Sequence, residues 1–268
     1  MSSNQQGFTK TILILLLFQH LCFSQTSNKG IVYYGQIESS YFGSKNGKER
    51  LATLVFNKKE SSYVSQKDSL DALMNNFPNR QGGTTLYTAG LPATENGSQV
   101  FTSLQKDSVW CSFLKNGLQY VAEKKFSFKW NLQNETKTIG KFTCHKATSQ
   151  FRGRTYIAWY TPEIPLPYGP WKLQGLPGLI LEAYDSSEEV YYYFKSIEYP
   201  TVNKTGIDFI KSNNRKPIKW LNRKEYMLFC EEYLQKMYEK MLMADKEAPT
   251  SSPSEKGTIE QNFKEITE

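Results

Sequence analysis

The chain reads as a mainly β protein: an antiparallel curved sheet, sandwich or open barrel, with one late amphipathic helix packed on it. Three observations carry this. Short runs rich in aromatic and β-branched residues recur from Gly30 to about Pro200, with turn residues between them. No strand–helix alternation appears, which removes the doubly wound nucleotide-binding folds. One segment near the end changes to helical spacing.

Taken in order, the first residues are set apart. Lys10 is followed by the apolar run Thr11–Phe18 and then by small residues near Cys22 and Ser24. That is the pattern of a secretory leader, predicted to occupy residues 1–24 with the cut after Ser24. The run is shorter than the about 20 apolar residues that span a bilayer. The expectation is a periplasmic or secreted protein, not integral to the membrane once the leader is gone. A lipid anchor on Cys22 is disfavoured by Leu21, which is larger than such a site takes.

From residue 25 to 247 the sequence predicts a single β-rich domain. "GIVYYGQIES" and "ERLATLVFNK" are joined across Asn46-Gly47. "SVWCSFL" and "LQYVAEKK" form a hairpin at Asn116-Gly117, a pair suited to positive φ. "KFSFKWNLQ", "KTIGKFTCHKATSQF", "GRTYIAWYT", "GLILEAYD" and "EEVYYYFKSIEY" complete the strand-like runs. The stretch from Ser65 to Ser98 is rich in Asn, Gly, Ser and Thr and reads as a surface excursion with one helical turn at Ser69 to Met74. A helix is predicted over about 222–244, with Asn222 and Glu225 as a capping box. Its apolar stripe is Tyr226, Cys230, Tyr233, Met237 and Met241. The polar, Pro/Ser-containing tail, 248–268, reads as disordered.

Composition excludes several functions. The net charge of +7 is spread out, without a basic block, so nucleic acid is not an expected partner. Only two histidines exist, His20 and His145, and the cysteines are far apart, so no metal site or cofactor is expected. There is no G-x-S-x-G turn to present a catalytic serine. Cys144 and His145 are neighbours on a strand and point to opposite faces, so they cannot form a thiolate pair. An exported chain with Cys111, Cys144 and Cys230 suggests one disulfide, with Cys111–Cys144 the preferred pair and three buried thiols the alternative.

The segment "GPWKLQGLPGLILEAYD", Gly169 to Asp185, is the most unusual. No lysine with Ser/Thr follows its glycines, and no helix opens after them, so it is not a phosphate loop. Gly175 and Gly178 permit a kink, Pro177 fixes a φ between them, Leu176 folds inward, and Leu179 and Ile180 enter a buried strand. Upstream, Pro162, Pro165, Pro167 and Pro170 hold the chain extended. On these residues the chain resembles the GLPGLI family of secreted Bacteroidota proteins. The hexapeptide Gly175-Leu176-Pro177-Gly178-Leu179-Ile180 is intact, and "KTIGKFTCHKA", "WYTPEIP" and "GPW" within Glu135 to Asp185 extend the likeness. The family is similar, more remotely, to the N-terminal bowl-like β domain of some secreted peptide:N-glycanases. The resemblance implies a signal, a β-rich body and a late helix; it implies no reaction.

Candidate chemistry is sparse. Read as a strand, Arg152, Arg154, Tyr156, Ala158 and Tyr160 share one face, suited to an acidic or sugar ligand, with Glu163 and Asp185 nearby. An ordinary solvated face with Arg–Glu or Arg–Asp pairs is the competing reading. The expected role is therefore a non-catalytic binding or envelope-associated accessory protein, whose partner is a glycan, a peptide or an outer-membrane protein. One alternative is an exported hydrolase using Glu163, Glu182 or Asp185. Another is a structural envelope protein that uses the helix as its contact.

Overall fold

The structure is a computed structural model that describes residues 29–39, 47–73, 94–114, 117–210 and 217–247. The expected leader, the polar tail and most of the Ser65–Ser98 excursion lie outside these residues.

Twelve strands form one open, curved sheet. They are β1 (Gly30–Ser39), β2 (Gly47–Phe56), β3 (Glu60–Ser65), β4 (Ser98–Ser103), β5 (Ser108–Leu114), β6 (Leu118–Lys124), β7 (Asn131–Ile139), β8 (Phe142–Phe151), β9 (Arg154–Thr161), β10 (Leu179–Asp185), β11 (Val190–Glu198) and β12 (Trp220–Leu221). Their order is β12-β6-β5-β4-β3-β2-β1-β11-β10-β9-β8-β7. Two meanders, β1 to β6 and β7 to β11, thus meet at one seam, β1 against β11, where Ile31 faces Glu198 and Glu38 faces Val190. All pairs are antiparallel except the short β12–β6 ladder.

Helix α1 (Asp68–Leu73) realises the expected helical turn and lies against β2. Helix α2 (Arg223–Glu247) follows β12. The capping box forms as the sequence implies: the Glu225 amide donates to Asn222 Oδ1 at 3.0 Å, and the Asn222 amide donates to Glu225 Oε2 at 2.7 Å. Tyr226 and Cys230 are buried on the predicted stripe, and the helix continues past residue 244 to Glu247.

Three readings of strands need correction. "KFSFKW" runs from Lys125 to Trp130 without a ladder partner; Phe126 and Phe128 pack their rings on Phe151 instead. Strands β3 and β4 are serine-rich, and only their pairing with β2 and β5 reveals them. The run "KTIGKFTCHKATSQF" is broken by Gly140, at φ +58°, into β7 and β8.

Alternation explains which side becomes the interior. Ala52, Leu54 and Phe56 face the main core, with Val32 and Tyr34 beside them. Leu51 and Val55, on the opposite face with Ile31, are also buried. The central strands are therefore apolar on both sides, which accounts for the unbroken run "LATLVF".

Candidate functional site

Between β9 and β10 the chain crosses the core face of the sheet as one irregular segment, residues 162–178. Ile164, Tyr168, Trp171, Leu173 and Leu176 enter the same apolar cluster as residues of β1–β6 and β8–β10. Proline removes amide donors here, and the remaining polar groups are met locally. Leu179 donates to the Ile164 carbonyl at 3.0 Å, Ile180 to that of Tyr168 at 2.9 Å, and Gly175 to that of Pro167 at 3.0 Å. From outside the segment, Trp130 Nε1 donates to the Gln174 carbonyl at 2.8 Å, and Tyr34 Oη to the Ile180 carbonyl at 2.6 Å.

The two motif glycines serve different ends. Gly175 has φ +92° and open space around its Cα, so its need is conformational. A Cβ on Gly178 would lie 2.1 Å from the Thr161 carbonyl oxygen, so its need is closeness. Leu176, Leu179 and Ile180 are buried, and Pro177 is exposed between them.

Lys172, at the middle of this crossing, has no exposed side-chain surface, and its ammonium bonds to Glu123 on β6. Arg152 bonds to the other oxygen of Glu123 and lies over the Phe151 ring, 4.7 Å from its centroid. Strands β6 and β9 are eight places apart in the sheet, roughly 40 Å if it were flat. Arg152 sits at the head of β9, so the Arg152–Glu123 pair exists only because the sheet curls around the crossing. Burial alone would raise the Glu123 carboxyl, but Lys172 and Arg152 together outweigh it and hold the group below the ordinary glutamate range.

This placement corrects the expected Arg-Tyr face. Arg152 and Gly153 are the two residues of the β8–β9 hairpin turn, with φ +49° and +75°, the signs of a type I′ turn. Arg152 therefore leaves the strand alternation. Arg154 pairs with Asp185 and, at 2.7 Å, with Glu189. Tyr156 and Tyr160 are buried in the core. Glu163 accepts the Thr143 amide at 3.0 Å on the exposed side of the crossing. Arg154, Tyr156 and Asp185 are thus neighbours, whereas Arg152, Tyr160 and Glu163 lie in other contacts. Of the three carboxylates weighed for catalysis, Glu182 is held by Lys137 at 2.7 Å and by Tyr191 Oη at 2.9 Å, and Asp185 by Arg154.

The expected Cys111–Cys144 bridge is not made; both are buried thiols, as is Cys230. Register explains it. Cys111 aligns through Val100 with Tyr63 and Leu54 on the core face, whereas Cys144 shares the opposite face with Lys146 and Trp159. Burial, with Glu182 and Glu163 adding to it against Lys137, pushes the Cys144 thiol up to about 12. Iodoacetamide at neutral pH should leave Cys144 unmodified in the folded protein and label it after unfolding, as read by peptide mass mapping. Rapid labelling of folded protein would mean an accessible thiolate. His145 points the other way, its ring 5.9 Å from that of Tyr160. Among the described residues no cluster of His, Cys, Asp and Glu is arranged to hold a metal, and no helix is long and apolar enough to cross a membrane.

Two features escaped the sequence reading. One is a groove of about 520 Å³ between β6, β12 and the start of α2, lined by Leu118, Tyr120, Ile218, Leu221, Leu228 and Phe229 among others. The other is a row of half-buried rings, Tyr184, Tyr191 and Tyr193, on the face of β10 and β11 opposite Ala183 and Tyr192, with the buried Trp159 on the same face of β9. The repeated tyrosines of "EEVYYYFKSIEY" signalled it, but only the register places them beside β9 and β10.

A family model described as "Protein of unknown function (Porph_ging)" matches residues 151–182, which span β9, the crossing and the first residues of β10. No curated protein matches the chain. Among solved structures, the chain is similar to PNGF-II in its P21 crystal form, with 14% identity over 75% of this chain and a TM-score of 0.49. It is also similar to the C2 form, with 16% identity over 74% and a TM-score of 0.47. The chain corresponds to 32% of the length of PNGF-II in both.

Proposed function

We propose that this is a non-catalytic, exported binding protein of the GLPGLI type, acting in the periplasm or beyond it on a glycan, peptide or outer-membrane partner. The observation that carries the reading is the crossing itself. Residues 162–178 pack their apolar side chains into the curl of the sheet and lock there through Lys172 and Glu123. The interior is occupied by the chain's own residues, which leaves the outer faces for contact. Glu163, Glu182 and Asp185 are each engaged by a partner of their own, the Thr143 amide, Lys137 and Arg154, which is how carboxylates that hold a fold together are commonly used.

The test is a search for turnover. The full chain is incubated with polysaccharides and with peptides, and new reducing ends and free amines are followed over time. No release is expected. Release that disappears in Glu163→Gln or Glu182→Gln would restore the hydrolase reading. A second reading, a structural envelope protein, is favoured by the groove beside α2, where Leu228 is 51% exposed. It predicts that Leu228→Ser abolishes envelope association and leaves solution binding intact.

A further inference from the structure

We infer that the sheet face bearing Trp159, Tyr184, Tyr191 and Tyr193 is a platform for an uncharged carbohydrate chain, an inference that rests on the binding-protein reading above. Register puts the rings together: Trp159 pairs with Glu182, and Tyr184 pairs with Ile157 on one side and Tyr191 on the other. The Tyr184 and Tyr191 rings are stacked at 5.2 Å with planes 18° apart, and Tyr193 continues the row 5.7 Å from Tyr191. Tyr193 lies down over the bare backbone of β1, since a Cβ on Gly35 would come within 2.2 Å of its ring. Three half-buried tyrosines thus expose a low, continuous aromatic surface across adjacent strands. Rings presented this way match the C–H faces of sugar rings, which are apolar and flat.

Charge selects the class of ligand. Lys137 is paired with Glu182 at 2.7 Å, and Lys195 with Glu49 at 2.8 Å. Tyr191 and Tyr193 donate their hydroxyls to these same two acids. Each cation is neutralised by its neighbour, so the row offers donors and acceptors for hydroxyl groups without a net field for a polyanion. An extended peptide is served poorly, because strands inside a sheet have already paired their amides and carbonyls, and only an edge strand offers a ladder. The Trp159 indole adds a second indication. It is 7% exposed, and its buried N–H has no acceptor among the described residues. The Lys137 ammonium stands 4.3 Å from the centre of that ring. That ammonium covers the ring face, whereas the N–H lies in the ring plane, so a sugar hydroxyl would have to meet it at the ring edge.

The experiment is isothermal titration of the full chain with a linear mannan, a glucan and a galactan, and with polygalacturonate and casein peptides as comparators. Saturable binding to at least one neutral polysaccharide is expected, with none to polygalacturonate. The double variant Tyr184→Ala/Tyr191→Ala should bind about tenfold more weakly or worse, with an unchanged melting temperature. Leu228→Ser, in the distant groove, should bind as the parent does. No binding to any neutral polysaccharide, or equal affinity in the double variant, overturns the platform. Binding to casein peptides alone removes the carbohydrate and leaves the binding-protein reading standing. Release of reducing ends from a bound polysaccharide removes the non-catalytic reading and leaves the platform standing. Should the double variant unfold, amide exchange of the parent with bound polysaccharide decides: slowing is expected at 182–184 and 191–193, and slowing confined to other strands overturns the assignment.

Discussion

Gly178→Val should leave no folded protein. The valine Cβ would sit 2.1 Å from the Thr161 carbonyl oxygen and 2.7 Å from its carbon, and both atoms belong to a backbone paired in the sheet. Neither can retreat without breaking the β9–β10 ladder, where Thr161 faces Leu179. The expected loss exceeds about 4 kcal/mol, a large part of a domain's whole stability. Gly175→Ala is the informative contrast. Its Cβ would have Trp130 Nε1 at 3.9 Å as its nearest neighbour, so only the φ of +92° opposes it. That strain should cost about 1–3 kcal/mol and leave a folded, less stable protein. Thermal melts of the two variants test the assignment. A stable Gly178→Val protein would mean that the close approach is not required.

Glu123→Gln should destabilise the fold by about 3–5 kcal/mol, because it leaves the cations of Lys172 and Arg152 in the interior without their shared anion. Lys172→Met should cost less, since Glu123 and Arg152 remain as a neutral pair. The dependence on pH has a definite sign. A glutamate whose folded pKa is depressed stabilises the protein above its unfolded value and loses that contribution as pH falls through the folded value. The gap in stability between the parent and Glu123→Gln should therefore be full at neutral pH and shrink in acid, below about pH 4. Urea titrations across pH measure it. A gap that stays constant into acid would show that Glu123 is not held as the anion.

Much of the fold was legible because its signals are local. The capping box at Asn222 and Glu225 needs four residues, and the Asn116-Gly117 hairpin needs two strands in succession. The kink at Gly175 to Gly178 was equally visible. What stayed hidden depends on register and curl. Glu123 sits in "AEKK", which reads as a solvated strand end, yet it is buried against two residues from the far side of the sheet. Arg152 looked like a strand residue because alternation was carried through a turn that interrupts it. The serine-rich β3 and β4 were not among the strand-like runs, since a serine in a central strand is buried by its neighbours and not by its own character. The ring row could not be assembled without knowing that Tyr184 stands beside Tyr191.

The seam between β1 and β11 also orders events in time. The chain is made from its N-terminus, and strands β1 to β6 pair one after another as each emerges. The outer edge of β1 has to wait for Val190–Glu198, the last long strand to be synthesised. Until then the first meander presents ten residues of open edge, the kind of template on which unfinished chains associate. A holding chaperone that caps an exposed strand should therefore raise the yield of this protein more than the yield of a sheet closed by neighbouring strands.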